Sequence, residues 1–168
     1  HGAPRLSWEF IAATPTSGMT EGGIFPAIFG TLAVTVLMML IALPAGVLSA
    51  IYLVEYAEQG GMARLIRAGV NNLAGVPSIV FGLFGVGFFI LFVGRNLDKV
   101  LGTGLVFGQP AMLWAAATLS CLVLPVVIVS TEEALRAVPQ GHREGAYALG
   151  ATRWQVVSTV VLPQARGG

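Results

Sequence analysis

Residues 144 to 163 read EGAYALGATRWQVVSTVVLP, a polar helix–Gly–helix unit set against long apolar runs. Pro139, just upstream, suits the first turn of a helix running roughly from Gln140 to Leu149. Gly150 then stands where a left-handed C-terminal cap belongs. Thr152 with Gln155 three residues on has the form of a capping box, so the next helix starts at about Arg153. That helix turns apolar at Val156 and Val157 and is predicted to break at Pro163. Ser130 and Glu133 offer a second capping box where the chain leaves the preceding apolar run.

Those runs decide the class of protein. Of 168 residues, 55% are hydrophobic and 10% charged, where soluble domains carry about 25% charged residues. Mean hydropathy is +0.81. A net charge of +1 gives no footprint for nucleic acid. The single cysteine, Cys121, excludes an internal disulfide framework and a cysteine-based metal site. Its apolar surroundings mark it as a small packing residue.

Crossing a bilayer takes about 20 apolar residues in a helix. The chain is uncharged from Gly22 through Val54, from Ala68 through Gly94 and from Val100 through Thr131. The predicted cores are Ile28 to Leu53, Val76 to Val93 and Ala111 to Ser130. The runs are continuous rather than alternating and exceed the about 10 residues of a barrel strand. The fold class is therefore all-α integral membrane: a polytopic helical bundle with three full transmembrane helices, cytoplasmic helices, and the start of a further span after Arg153. With no initiator Met and an end at Gly168, the chain reads as a single membrane domain, 1–168, truncated at both ends.

Helix punctuation falls inside the runs. Pro44 interrupts the first, Pro125 the third, and Pro77 opens the second. Each frees a backbone carbonyl and bends the axis, for packing or to line a pathway. Gly82, Gly85 and Gly87 suit close helix approach; without a following GK[ST] they are no phosphate loop.

Lys and Arg placement orients the chain. Arg64, Arg67, Arg136, Arg143, Arg153 and Arg166 fall on one side, and Arg5, Arg95 and Lys99 on the other. The bias puts residues 131–163 in the cytoplasm and 1–24 outside, with Trp8 and Phe10 along the outer interface. Residues 62 to 74 form an amphipathic interfacial helix, with Arg64, Arg67 and Asn71 on one face. Its simplest role is anchoring the second span. The outer stretch from Arg95 to Pro110 is a short Gly-rich loop.

An exposed, rigid helical hairpin on the cytoplasmic side is an element that a soluble partner can grip. Glu144 near the helix start suits the helix dipole and can pair with a partner's Arg. Ala146 and Ala148 keep the surface low, and Tyr147, Leu149 and Trp154 offer apolar anchors. Gly150, Thr152 and Arg153 form the turn.

The spacing Glu144, Ala146, Gly150, Val160, Leu162, Pro163 resembles the "EAA" loop of bacterial ABC-importer permeases, with Gly145 replacing the first Ala. Three further stretches narrow the resemblance to the PstA-type permease of the phosphate-specific importer: NNLAGVPSIVFGLFG at 71 to 85, TEEALRAVP at 131 to 139, and the first span with its LPAGV and AIYLVEYA. The resemblance covers nearly the whole chain. It implies a MetI-like permease fold in the bacterial inner membrane, paired with a PstC-type paralogue. It also implies two PstB-type ATPase subunits docking on Glu144 to Thr152 and a phosphate-binding protein outside. Such a subunit binds no cofactor and catalyses nothing itself; the partner uses ATP. The family's spans before residue 1 and after Pro163 are absent here, and the terminal RGG departs from its pattern.

Polar candidates for a translocation pathway are Asn71, Asn72, Ser78, Thr118, Ser120, Ser130 and Thr131; each also fits a hydroxyl or amide bonded within its own helix. No charged group sits within a span, so no strong anion site is visible there. Three rivals stay open: a permease for another oxyanion or small nutrient, an intramembrane enzyme, and a bare scaffold. The enzyme would need a catalytic pair at span depth, whereas His142 and Asp98 lie in loops.

Overall fold

The computed structural model describes residues 8–16, 21–57 and 60–165. Arg5 and Arg166 of the charge count, and residues 1–7 and 17–20 of the stretch 1–24, lie outside the described residues. A short helix, α1 (Trp8–Ala12), precedes a two-residue antiparallel ladder of β1 (Pro15–Thr16) with β2 (Glu21–Gly22). The chain then folds over the start of the first span: Ile24 N–H donates to the Phe10 carbonyl at 3.0 Å and Phe25 N–H to that of Ala13 at 3.2 Å.

Three helices are long and apolar enough to cross a membrane: α2 (Phe25–Tyr56), α4 (Ser78–Leu101) and α5 (Met112–Ala137). All three predicted spans are present, each longer than its predicted core. Between the first two lies α3 (Gly61–Ala74), the predicted amphipathic helix. After α5 come α6 (Gln140–Ala148) and α7, residues 153–165. Span hydroxyls satisfy themselves locally: Thr31, Thr35 and Ser49 each donate to the carbonyl four residues back at 2.7 Å. In hydrocarbon that bond replaces the missing water.

The first and third spans form the main interhelical contact. Ala42, Gly46 and Ala50 recur every fourth residue along one buried face of α2. Small side chains there let the backbones approach. A Cβ on Gly46 would stand 2.5 Å from Val127 Cγ1 of α5. Ser120 Oγ of α5 lies 3.1 Å from the Met38 carbonyl of α2, which ties the two spans directly. Of the three glycines expected to pack α4, only Gly85 does so, against Thr118; Gly82 and Gly87 face open space among the described residues.

Away from that seam the spans are largely exposed. The buried core sits instead at the Arg-rich end, where Ile51, Leu53, Leu135, Val156, Val157 and Val161 converge. At this end α2, α5 and α7 meet the polar hairpin and can enclose side chains on all sides.

Several expectations are corrected. Ser130 does not cap a helix start: α5 runs unbroken to Ala137, and the Ser130 hydroxyl donates to the Val126 carbonyl at 2.9 Å. Apolar Leu135 and Val138 are buried, which draws the helix past its charged residues Glu132, Glu133 and Arg136. Pro163 does not break α7, which stays helical through Ala165. Widened π-type turns over Val157–Val161 come just before it and relax the ladder where its missing N–H would fall. Arg95–Leu101 is helix rather than loop, continuous with α4. Pro44 and Pro125 lie inside α2 and α5 and do not end them, and Pro77 is the N-terminal cap of α4.

The connection between α4 and α5, residues 102–111, is built on one carboxylate. Asp98 is buried and accepts from Thr103 Oγ1 (3.0 Å) and from the backbone N–H groups of Val106 (3.1 Å), Phe107 (2.9 Å) and Gly108 (2.7 Å). Trp114 Nε1 donates to the Phe107 carbonyl at 2.7 Å and its ring stacks on Phe89, 6.1 Å away. The loop is thereby locked onto the ends of α4 and α5.

Candidate functional site

The hairpin of α6 and α7 is turned by local rules. Pro139 caps α6 with its fixed φ of −57°, and Gly150 adopts φ +82°, a left-handed value that glycine alone reaches without strain. Gly150 N–H donates to the Tyr147 carbonyl (2.9 Å) and Ala151 N–H to that of Ala146 (3.2 Å). Thr152 and Gln155 complete the capping box: Thr152 N–H donates to Gln155 Oε1 at 2.8 Å, and Gln155 N–H to Thr152 Oγ1 at 3.4 Å. The hairpin is thus specified locally at each corner.

Its outer surface is apolar and uncovered. Leu149 is 90% exposed, Trp154 55% and Tyr147 43%. Large side chains so exposed around one rigid turn form a patch that water solvates poorly. Glu144 is exposed beside them and makes no ion pair among the described residues. Gly145 is open to solvent, Ala146 packs inward on the core, and Arg153 borders a recess with Tyr147, Tyr56 and Glu55.

The inner surface is bolted to the spans by an arginine that sequence reasoning passed over. Arg143 Nη1 lies 2.8 Å from Glu55 Oε1 at the end of α2, with the two side chains only 11% and 6% exposed. Arg143 Nη2 donates to the Leu135 carbonyl of α5 at 2.6 Å. One guanidinium therefore joins α2, α5 and α6. His142 Nδ1 meets Gln164 Oε1 at 2.7 Å and adds a link to α7. A parallel anchor holds α3: Arg67 lies 3.3 Å from Glu132 Oε2 and donates to the Leu53 carbonyl at 2.8 Å, and Arg136 joins the same carboxylate at 3.2 Å. The available signal was Glu55, the first charge after an apolar run, facing a later run of arginines.

The pathway candidates do not gather at one place. Asn71 lines a recess with Glu132 and Glu133, whereas Thr118 lines another between α4 and α5. Thr118 donates to the Trp114 carbonyl at 2.8 Å. Ser120 is buried in the α2–α5 seam, Ser130 is exposed on α5, and Ser78 is exposed at the start of α4. Asn72 is exposed on α3 and Thr131 is half-buried on α5. Among the described residues no group of three or more His, Cys, Asp or Glu could hold a metal ion.

Three helices fit to cross a membrane, a small-residue seam and a hairpin anchored to two of them while its apolar tip stays bare define a multi-pass membrane protein. The family described as "Binding-protein-dependent transport system inner membrane component" matches residues 42–168, and the chain belongs to it. It is accordingly a multi-pass inner-membrane protein. YqgH of Bacillus subtilis, a probable ABC transporter permease protein, is 36% identical over 160 residues, 95% of this chain and 48% of that protein. The phosphate transport system permease protein PstA of Mycobacterium leprae is 42% identical over 147 residues, 88% of this chain and 44% of that protein. The PstA resemblance drawn from the motifs agrees with this relative. The chain spans about half the length of these relatives. A solved chain of the MetNI methionine ABC transporter shares the fold, with a TM-score of 0.54 at 24% identity, over 85% of this chain and 61% of that one.

Proposed function

We propose that this chain is part of the permease subunit of an ATP-driven phosphate importer. Residues 131–163 form its coupling segment, and Glu144 to Arg153 are the surface that a separate ATPase grips. The observation that carries the reading is the pairing of an uncovered apolar tip, Leu149, Tyr147 and Trp154, with the Arg143 anchor on the same hairpin. A partner that moves the tip moves α2 and α5 with it. ATP binding draws the coupling helices of two paired permeases together and opens the spans outward; hydrolysis resets them. The permease itself breaks no bond. Phosphate as cargo, a PstC-type partner, a PstB-type ATPase and a phosphate-binding protein follow from likeness to the PstA relatives.

The test is uptake and ATPase activity of the full-length transporter. Glu144→Lys and Gly150→Pro should each abolish phosphate uptake and leave membrane insertion intact; normal uptake in both would sink the coupling assignment. ATPase stimulation by phosphate-loaded binding protein, and not by sulfate- or molybdate-loaded protein, separates phosphate from another oxyanion.

A further inference from the structure

A groove of about 380 Å³ runs between α4 and α5. Gly82, Val86 and Ile90 line it from α4, and Ala111, Trp114 and Leu119 from α5. Its side-chain donors are already used. Thr118 donates to the Trp114 carbonyl at 2.8 Å, and Trp114 Nε1 to the Phe107 carbonyl at 2.7 Å. A polar ligand would go unmatched there, whereas hydrocarbon needs no partner. From Ala111 to Leu119 the groove extends about 12 Å, at a helical rise of about 1.5 Å per residue. The apolar cores Val76–Val93 and Ala111–Ser130 have their midpoints near Gly85 and Ser120. The groove therefore occupies one half of the membrane, from mid-depth to the end where α5 begins. One leaflet supplies about 15 Å of hydrocarbon, close to that length.

Two cations stand beyond this end. Arg95 and Lys99 are exposed one helical turn apart on α4, and neither makes an ion pair among the described residues. Asp98 lies between them in sequence, but its oxygens serve the Thr103 hydroxyl and the N–H groups of Val106, Phe107 and Gly108. The Arg95 stem lies close to the groove: a Cβ on Gly108 would stand 2.9 Å from Arg95 Cγ, and Pro110, two residues on, lines the groove.

From this we infer that the groove holds one acyl chain of an anionic phospholipid, with Arg95 and Lys99 on its headgroup. Length selects an acyl chain over a membrane-spanning partner helix, which would need a seam through both leaflets. Charge selects an anionic headgroup over a zwitterionic one. Neither the cargo nor the coupling surface bears on it, since the hairpin follows the opposite end of α5.

The test uses the full-length transporter in phosphatidylcholine nanodiscs. Phosphatidylglycerol with a diazirine midway along one acyl chain is added in trace, and photoadducts are located by peptide mass spectrometry. They should concentrate on residues 82–90 and 111–119. Phosphatidylcholine with the same diazirine chain should label those segments about tenfold less, the scale of two cations beside an anionic headgroup. Arg95→Gln with Lys99→Gln, both exposed side chains, should lower phosphatidylglycerol labelling to the phosphatidylcholine level. Gly82→Leu with Ala115→Leu fills the groove from two exposed positions, and a Cβ at Gly82 meets nothing within 4 Å. That pair should displace the adducts although both cations remain. Equal labelling of the unsubstituted protein by the two lipids would overturn the inference, because an unselective boundary lipid would then fill the groove. So would the absence of adducts from both segments, because a protein segment would then cover it. Labelling that persists in the filled variant would also overturn it.

Discussion

Arg143 Nη1 stands 2.8 Å from Glu55 Oε1, and this buried contact joins the first helix of the polar hairpin to the end of the first span. Both charges are largely out of water, so each depends on the other. Removing one leaves an uncompensated buried charge at about 3 kcal/mol. Glu55→Gln or Arg143→Gln should therefore lower the thermal midpoint of the detergent-solubilised protein sharply. The double variant should recover most of that loss, because no lone charge is left. Equal loss in the double variant would show that the pair is not mutually stabilising.

Gly150 should tolerate substitution according to backbone conformation rather than size. Space around it is open, but its φ is +82°. A β-branched side chain there costs about 1–2 kcal/mol, and Asn less, because its short polar side chain can offset part of the strain with a local hydrogen bond. Gly150→Asn should keep more uptake than Gly150→Val at equal membrane abundance. The reverse order would place the constraint in a contact, not in the turn.

The second and third spans meet at Gly85 and Thr118. A Cβ at position 85 would overlap the Thr118 side chain, whose β-branching leaves it little freedom to move. Gly85→Ala should destabilise by about 1–3 kcal/mol, and Thr118→Ala in the same chain should restore part of it. Gly82→Ala, which meets nothing within 4 Å, is the matched control and should be silent. Thermal denaturation of the three variants checks all of this.

Asp98 gathers three backbone N–H groups and a hydroxyl from the loop that joins α4 to α5. Asp98→Ala strands those donors, so residues 102–109 should become accessible to protease added from outside in proteoliposomes, with the spans intact. Asp98→Asn, which keeps one acceptor oxygen, should be intermediate. Unchanged cleavage in Asp98→Ala would mean that the Trp114–Phe107 hydrogen bond holds the loop by itself.

The features that could be read ahead of the structure are those enforced within a few residues. Gly150, Pro139 and the Thr152–Gln155 box are local, and each forms as its chemistry requires. The errors came where a local rule met a longer-range force. The Ser130–Glu133 pattern is a sound cap in isolation, yet burial of Leu135 and Val138 carries α5 through it. Pro163 is a helix breaker in isolation, yet widened turns ahead of it absorb the lost bond.

By itself the sequence determined that the chain crosses a membrane, where it crosses, and that a capped hairpin follows the third span. Uncharged runs of that length have no alternative to helices in hydrocarbon, because every backbone polar group must be satisfied within its own segment. Only the tertiary structure decided which charges meet. Arg67 and Glu132 are 65 positions apart, and Arg143 finds Glu55 across two intervening spans. Such pairings depend on how α2 and α5 seat along Ala42, Gly46 and Ala50, a packing solution to which many residues contribute. The same seating turns the apolar tip of the hairpin outward.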